Sequence, residues 1–367
     1  MRLLCLLAVC TLLCTAPIEA RQVVDAAGRT VTVPDTVRRV ICSGSGCLRL
    51  LTYLQAQDLA VAVDDIEGKR SRFDARPYGL ANPQFRTLPV FGGFRGQDNP
   101  ELILTLDPAP QVIFKMVGTG RGTSGLDPDE LQGRTGIPVV ALRVGNLHER
   151  RSELSAALRL MGAVLGREAR AEAVLTFFDR TMADLQHRTR DILEKSRPAA
   201  YVGGIAYAGP HGFQSTEPGY PPFRLVNVEN LAARDGDTAN GGVRDVSREQ
   251  LIAWNPNLLF LDLSTLQLGE AAGGLHELRT DPAYRTLAAV RSDRVYGLLP
   301  YNWYGQNLES ILANAYYIGT LLHPDRFADI DPAAKADEIF AFLVGKPLFA
   351  EMNRRFGGHA FRAVGLR

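Results

Sequence analysis

The sequence predicts an α/β protein of two Rossmann-like lobes, with mainly parallel sheets, joined by a single long rigid α-helix. Three observations carry that expectation. Apolar residues recur at helical spacing over a long stretch in the middle of the chain, from Leu154 through Phe178 to Leu193. Short apolar strands alternate with amphipathic helices on both sides of that stretch, the arrangement that builds parallel sheets. An internal echo links the two flanks: Pro100-Glu101-Leu102-Ile103-Leu104-Thr105-Leu106-Asp107-Pro108 is matched by Arg248-Glu249-Gln250-Leu251-Ile252-Ala253-Trp254-Asn255-Pro256. In both, a Glu stands seven residues before the Pro that separates helix from strand, which argues for two lobes of similar build.

Taken in order, the chain opens on Arg2, an apolar run from Leu3 to Leu13 and small residues up to Ala20. That is the build of a secretory signal peptide cut near Ala20. Cys10 and Cys14 follow Val9 and Leu13 rather than small residues, so lipid anchoring is not expected. The first lobe, 21–147, begins with an arm at 31–34 and a buried strand at 38–42. The turn Ser43-Gly44-Ser45-Gly46 leads into a helix over 48–55. Strands at 59–63, 89–93, 112–114 and 139–142 follow, and Asn99-Pro100 opens a helix as cap and first-turn proline. The linking helices fill 148–197, one over 149–165 and a longer one over 167–195, with Gly166 at the joint and Pro198 as the stop. About 29 helical residues would span roughly 40 Å. The second lobe, 198–367, carries strands at 200–205, 258–261 and 294–298. Helices are expected over 223–232, from a cap at Ser247, over 308–322, and twice more at the end.

Composition narrows the function. Hydrophobic content of 46%, charged content of 22% and a net charge of +1 are those of a water-soluble globular chain, with no reason to expect nucleic acid as partner. No Gly-x-Ser-x-Gly elbow, phosphate-binding Gly-x-x-x-x-Gly-Lys or His-Glu-x-x-His occurs, so an enzyme is not expected. Beyond residue 20 only Cys42 and Cys47 remain, and both a disulfide and two free thiols stay open.

With these residues in view, the chain resembles the periplasmic solute-binding proteins of ABC importers for iron chelates and vitamin B12. The resemblance rests on 245–251 with Asn255-Pro256, on Asn99-Pro100-Glu101-Leu102-Ile103 with Asp107-Pro108, on the central helix, and on Tyr301-Asn302-Trp303-Tyr304 before a closing helix. It implies a periplasmic, monomeric binding protein that takes up a siderophore-like iron chelate and delivers it to a membrane permease and its ATPase. It implies no cofactor of its own, the bound ligand being an iron or cobalt chelate. Glu101 and Glu249 map onto the carboxylates that dock each lobe on the permease. Corrinoid or haem binding by the same fold, or an exported sensor or enzyme acting on a small anion, stay open. The glycine-rich loop 118–125 and the insertion 217–223 depart from the B12-binding pattern.

Ligands of paired α/β lobes sit beyond the carboxyl ends of the strands. That rule nominates Ser43, Phe94, Arg95, Lys115, Tyr207, His211, Asn302, Trp303 and Tyr304 as ligand-binding residues, with Arg121 in the same loop set. Aromatic rings would supply apolar area, and the cations would meet negative charge. Of six histidines only His211 falls on such a loop, too few for a dedicated metal site.

Overall fold

The computed structural model describes residues 20–69, 71–118, 125–233 and 242–366. The expected signal segment lies outside them except for Ala20, and so does Arg121. The arm is one half of a hairpin, β1 (Ala20–Val24) paired antiparallel with β2 (Thr30–Pro34). Val31 and Val33 face the core from β2 while Thr30 and Thr32 face out, the two-residue period of a half-buried strand.

The first sheet comprises β3 (Val40–Ser43), β4 (Ala60–Asp64), β5 (Val90–Gly93), β6 (Gln97–Asp98), β7 (Val112–Met116) and β8 (Val139–Leu142). Their order is β6-β5-β4-β3-β7-β8, parallel throughout except for β6. Every residue of β3, β7 and β8 is buried, as expected of strands covered on both faces. The order reverses at β3, so the turn at 43–46 stands at the switch point.

The second half contains β9 (Ala199–Gly203), β10 (Ser215–Thr216), β11 (Glu229–Asn230), β12 (Arg244–Asp245), β13 (Leu259–Asp262) and β14 (Val295–Leu298). Strands β11-β9-β13-β14 form an all-parallel sheet, and β10 pairs with β12 apart from it. The expected helix over 223–232 is replaced by a short helix, Pro221–Leu225, followed by β11. Asn227 turns the chain with φ +55, and Glu229 then enters register with Ala199.

The connector also differs from expectation. The Arg151–Leu165 helix ends on Gly166 at φ +64, and the next helix runs Glu168–Thr189, 22 residues rather than 29. At 1.5 Å per residue that is roughly 33 Å. It ends early because the Asn227 amide donates to the carbonyls of Thr189 and Ile192, each at 3.1 Å. Leu193, which continued the apolar period, is 63% exposed. Nor is the helix a lone rod. Phe177 stacks on Phe342 at 4.1 Å, Arg170 donates to Tyr53 O at 2.8 Å, and Tyr316 donates to Asp184 at 2.7 Å. The Pro332–Val344 helix, late in sequence, packs on the Cys47–Tyr53 helix of the first lobe. One continuous core therefore includes Val40 and Phe114 from the first sheet, Phe178 from the connector, and Val202 and Phe260 from the second sheet.

Candidate functional site

A cleft of about 910 Å³ opens at the carboxyl ends of both sheets. Ser45 reaches it from the turn after β3, Ile66 from beyond β4, and Phe94 with Arg95 from beyond β5. From the other half come Tyr207 after β9, Gln267 after β13, and Asn302, Trp303 and Tyr304 after β14. Arg150 closes one side from the start of the connector. Parallel strands place all their loop-bearing ends on one edge, so residues more than 200 positions apart converge there.

Tyr304 ties the two halves together at the cleft. Its hydroxyl donates to Asp64 Oδ2 and accepts from the backbone N–H of Arg95 at 3.1 Å. Its carbonyl accepts from Arg49 Nη2 at 2.9 Å. Arg95 and Tyr304 both hold positive φ, +62 and +50, a conformation kept only where surrounding contacts enforce it. Next to Tyr304, Gly305 has φ +86, and a Cβ there would stand 2.9 Å from Arg49 Nη2 and 3.0 Å from Ser45 Oγ. Glycine is required at this crossing.

The Phe94 loop is pinned from the other side by Asp65, whose carboxylate accepts from Phe94 N at 2.8 Å. The guanidinium of Arg95 and the ammonium of Lys69 lie 5.1 and 5.6 Å from the Phe94 ring centre. A side chamber of about 260 Å³ continues beyond Phe94 and Trp303 toward Lys69 and Arg76. Arg76 itself is buried and committed, paired with Glu67 at 2.8 Å and Asp74 at 2.9 Å. Behind the wall, burial pushes the Asp64 carboxyl up to about 7, helped by the Glu67 charge and opposed by the Tyr304 hydrogen bond.

The lining carries two guanidinium groups, four aromatic rings and the amides of Asn302 and Gln267, but no carboxylate. Arg150 makes a loose ion pair, 3.9 Å from Glu153. Among the described residues no three His, Cys, Asp or Glu side chains gather as a metal would require.

Of the nominated residues, Phe94, Arg95, Tyr207, Asn302, Trp303 and Tyr304 share this cleft. Three do not. Ser43 is fully buried beneath it, and Ser45 takes the lining position instead. Lys115 is buried and ion-paired with Asp98, and it also donates to Gly96 O at 3.2 Å, so its charge is spent inside the lobe. His211 lies off the lining, with Nε2 2.7 Å from the Tyr207 carbonyl. Ile66 falls in the strand-end loop 64–67, whereas Arg150 and Gln267 were not singled out; extending the strand-end rule to the chain after β8 finds Arg150. The insertion at 217–223 serves the core: Glu217 is buried and accepts from Tyr301, and Tyr220 packs edge-on against Tyr301 at 5.5 Å. The two cysteines are free and buried.

Glu101 and Glu249 stand at matching places. Each is the second residue of a short exposed helix, Pro100–Leu104 or Arg248–Trp254. Each helix is capped by a side chain, Asn99 accepting from Leu102 N at 3.0 Å and Ser247 from Gln250 N at 3.2 Å. Glu101 also meets Arg134 at 2.9 Å, both exposed.

Comparison with known proteins agrees with this architecture. The family model described as periplasmic binding protein matches residues 52–301. A periplasmic solute-binding protein of Veillonella parvula superposes with TM-score 0.68 at 17% identity, over 92% of this chain and 97% of its own. The molybdate-binding protein MolA of Haemophilus influenzae gives 0.66 at 17%, over 89% and 98%. The haem-binding protein HutB of Vibrio cholerae gives 0.53 at 19%, over 78% and 99%. At these identities the structures speak for the fold alone, and no curated protein sequence matches the chain. With the family model spanning most of both sheets, the chain belongs to the periplasmic binding protein family, the substrate-binding components of ABC transporters.

Proposed function

We propose that the chain captures a metal already wrapped in an organic anion, of the siderophore-like iron-chelate class, and hands it to an importer's permease and ATPase. The observation that carries this is the lining: two arginines and four aromatic rings around about 910 Å³, with no carboxylate. That volume suits a ligand of several hundred daltons and is far larger than a bare oxyanion fills. The rings supply flat apolar contact, and the guanidinium groups meet the negative edge of the chelate. Export through an N-terminal signal, and docking by Glu101 and Glu249, complete the reading.

The test is titration of the purified chain with ferric chelates of matched size and different charge, followed through quenching of Trp303. Anionic chelates are expected to bind, and neutral ones of the same size to bind far more weakly. Arg95→Ala and Arg150→Ala should each weaken the anionic complex roughly tenfold or more, the worth of one charge-assisted hydrogen bond. Equal affinity for neutral and anionic chelates would overturn the assignment. Absorbance and mass of whatever copurifies from the native host would distinguish an iron chelate from haem or a corrinoid.

A further inference from the structure

We propose that Cys42 and Cys47 are a bridging pair whose sulphurs join, under oxidising conditions, in an intrachain disulfide across the turn at 43–46, the switch-point wall of the cleft. Cys42 is the third residue of β3, in register with Phe114 of β7. Cys47 starts the following helix, and its Sγ lies 3.5 Å from the carbonyl of that same Phe114. Both cysteines therefore neighbour the same residue of β7, and the two thiols lie within hydrogen-bonding contact of each other. The turn brings the chain back to make this happen: Gly44 and Gly46 hold φ +91 and +89, and Cys47 N donates to Gly44 O at 3.2 Å. Burial pushes the Cys47 thiol well up, and the Cys42 thiol beside it adds to the rise. A thiol so placed is a poor nucleophile in the folded chain, so the bond forms when the turn opens or while the chain folds.

With glutathione disulfide as oxidant the step balances. One cysteine thiolate displaces a glutathione thiolate to give a mixed disulfide. The second cysteine displaces the other glutathione, and two protons and two electrons pass from the cysteines to two reduced glutathiones. The bond would lock the turn that presents Ser45 to the cleft and precedes Arg49, which holds Tyr304 O.

The test takes the full chain with Cys5, Cys10 and Cys14 replaced by serine, so that Cys42 and Cys47 carry its two thiols; it is unfolded and refolded in glutathione disulfide or in reductant before denaturing alkylation and intact-mass measurement. Expected after oxidation are no alkylated thiols at 42 and 47, loss of two hydrogens in mass, and a raised Tm. The Tm rise should vanish in Cys42→Ala and in Cys47→Ala. If the pair are only apolar core residues, both thiols will be alkylated after oxidation, or one will carry glutathione without closure; either result overturns the proposal. The oxidant comes from the buffer, so the outcome is independent of the transport reading, and the mass measurement does not depend on the variants folding.

Discussion

Tyr304 does more for the cleft than its ring area suggests, because one hydroxyl serves Asp64 and the Arg95 backbone together. Tyr304→Phe keeps the ring and removes both bonds, leaving a buried carboxyl and a backbone N–H short of a partner. The expected loss is about 1–3 kcal/mol of stability, with weaker chelate binding as the Arg95 loop loosens. Denaturant unfolding and titration of the same variant measure the two effects, and unchanged affinity would detach Tyr304 from the site. A second residue-scale expectation concerns pH. Burial first of all holds Asp64 and Asp262 up at about 7 and Glu217 at about 8, whereas the unfolded chain loses these protons near pH 4. Between those limits the native state binds more protons, so stability present below about pH 4 drains away as pH rises through 7–8. Calorimetry should show Tm falling from pH 5 to pH 8, with a shallower fall in Asp64→Asn. These carboxyls were not legible in the sequence. Asp64 was visible as a strand end, but its hydrogen-bond partner Tyr304 stands 240 positions away.

At the scale of elements, strands were the most legible. Continuous apolar runs such as Val139–Leu142 can be satisfied only between two covered faces, and the ladder bonds they need are the same wherever the partner strand lies. Helix ends were less so. The Glu168–Thr189 helix stops where Asn227 takes its carbonyls, and nothing local to Thr189 announces that partner. The two short helices bearing Glu101 and Glu249 share a further feature. Leu104 is 59% exposed and Ile252 is 37% exposed, each three residues past its glutamate and so on the same helical face. An exposed carboxylate beside an exposed aliphatic side chain suits an interface that orients by charge and holds by apolar contact. Glu101→Ala combined with Glu249→Ala should abolish uptake in cells while leaving chelate affinity intact. Leu104→Ser with Ile252→Ser should reduce uptake without abolishing it. Transport assays read against binding titrations decide both, and a loss of affinity would remove the docking role.

Over the whole molecule, the connector is braced by the Leu308–Leu322 and Pro332–Val344 helices, and the apolar core runs unbroken from one sheet to the other. Hinge motion of the halves would have to shear that packing, which interiors near crystal density resist. Ligand binding should therefore alter the solution scattering curve only slightly, with adjustment confined to the cleft loops. A large compaction on adding chelate would contradict this. By itself the sequence determined the α/β class and the parallel strands, because hydrophobic period and turn chemistry are local properties of the chain. Only the tertiary structure decided that Ser45 rather than Ser43 lines the cleft, that Lys115 is consumed by Asp98 while Arg150 faces the cavity, and where the connecting helix ends. Each of those outcomes is a contest for one hydrogen bond or ion pair among groups far apart in sequence, and only the folded chain brings the contestants together.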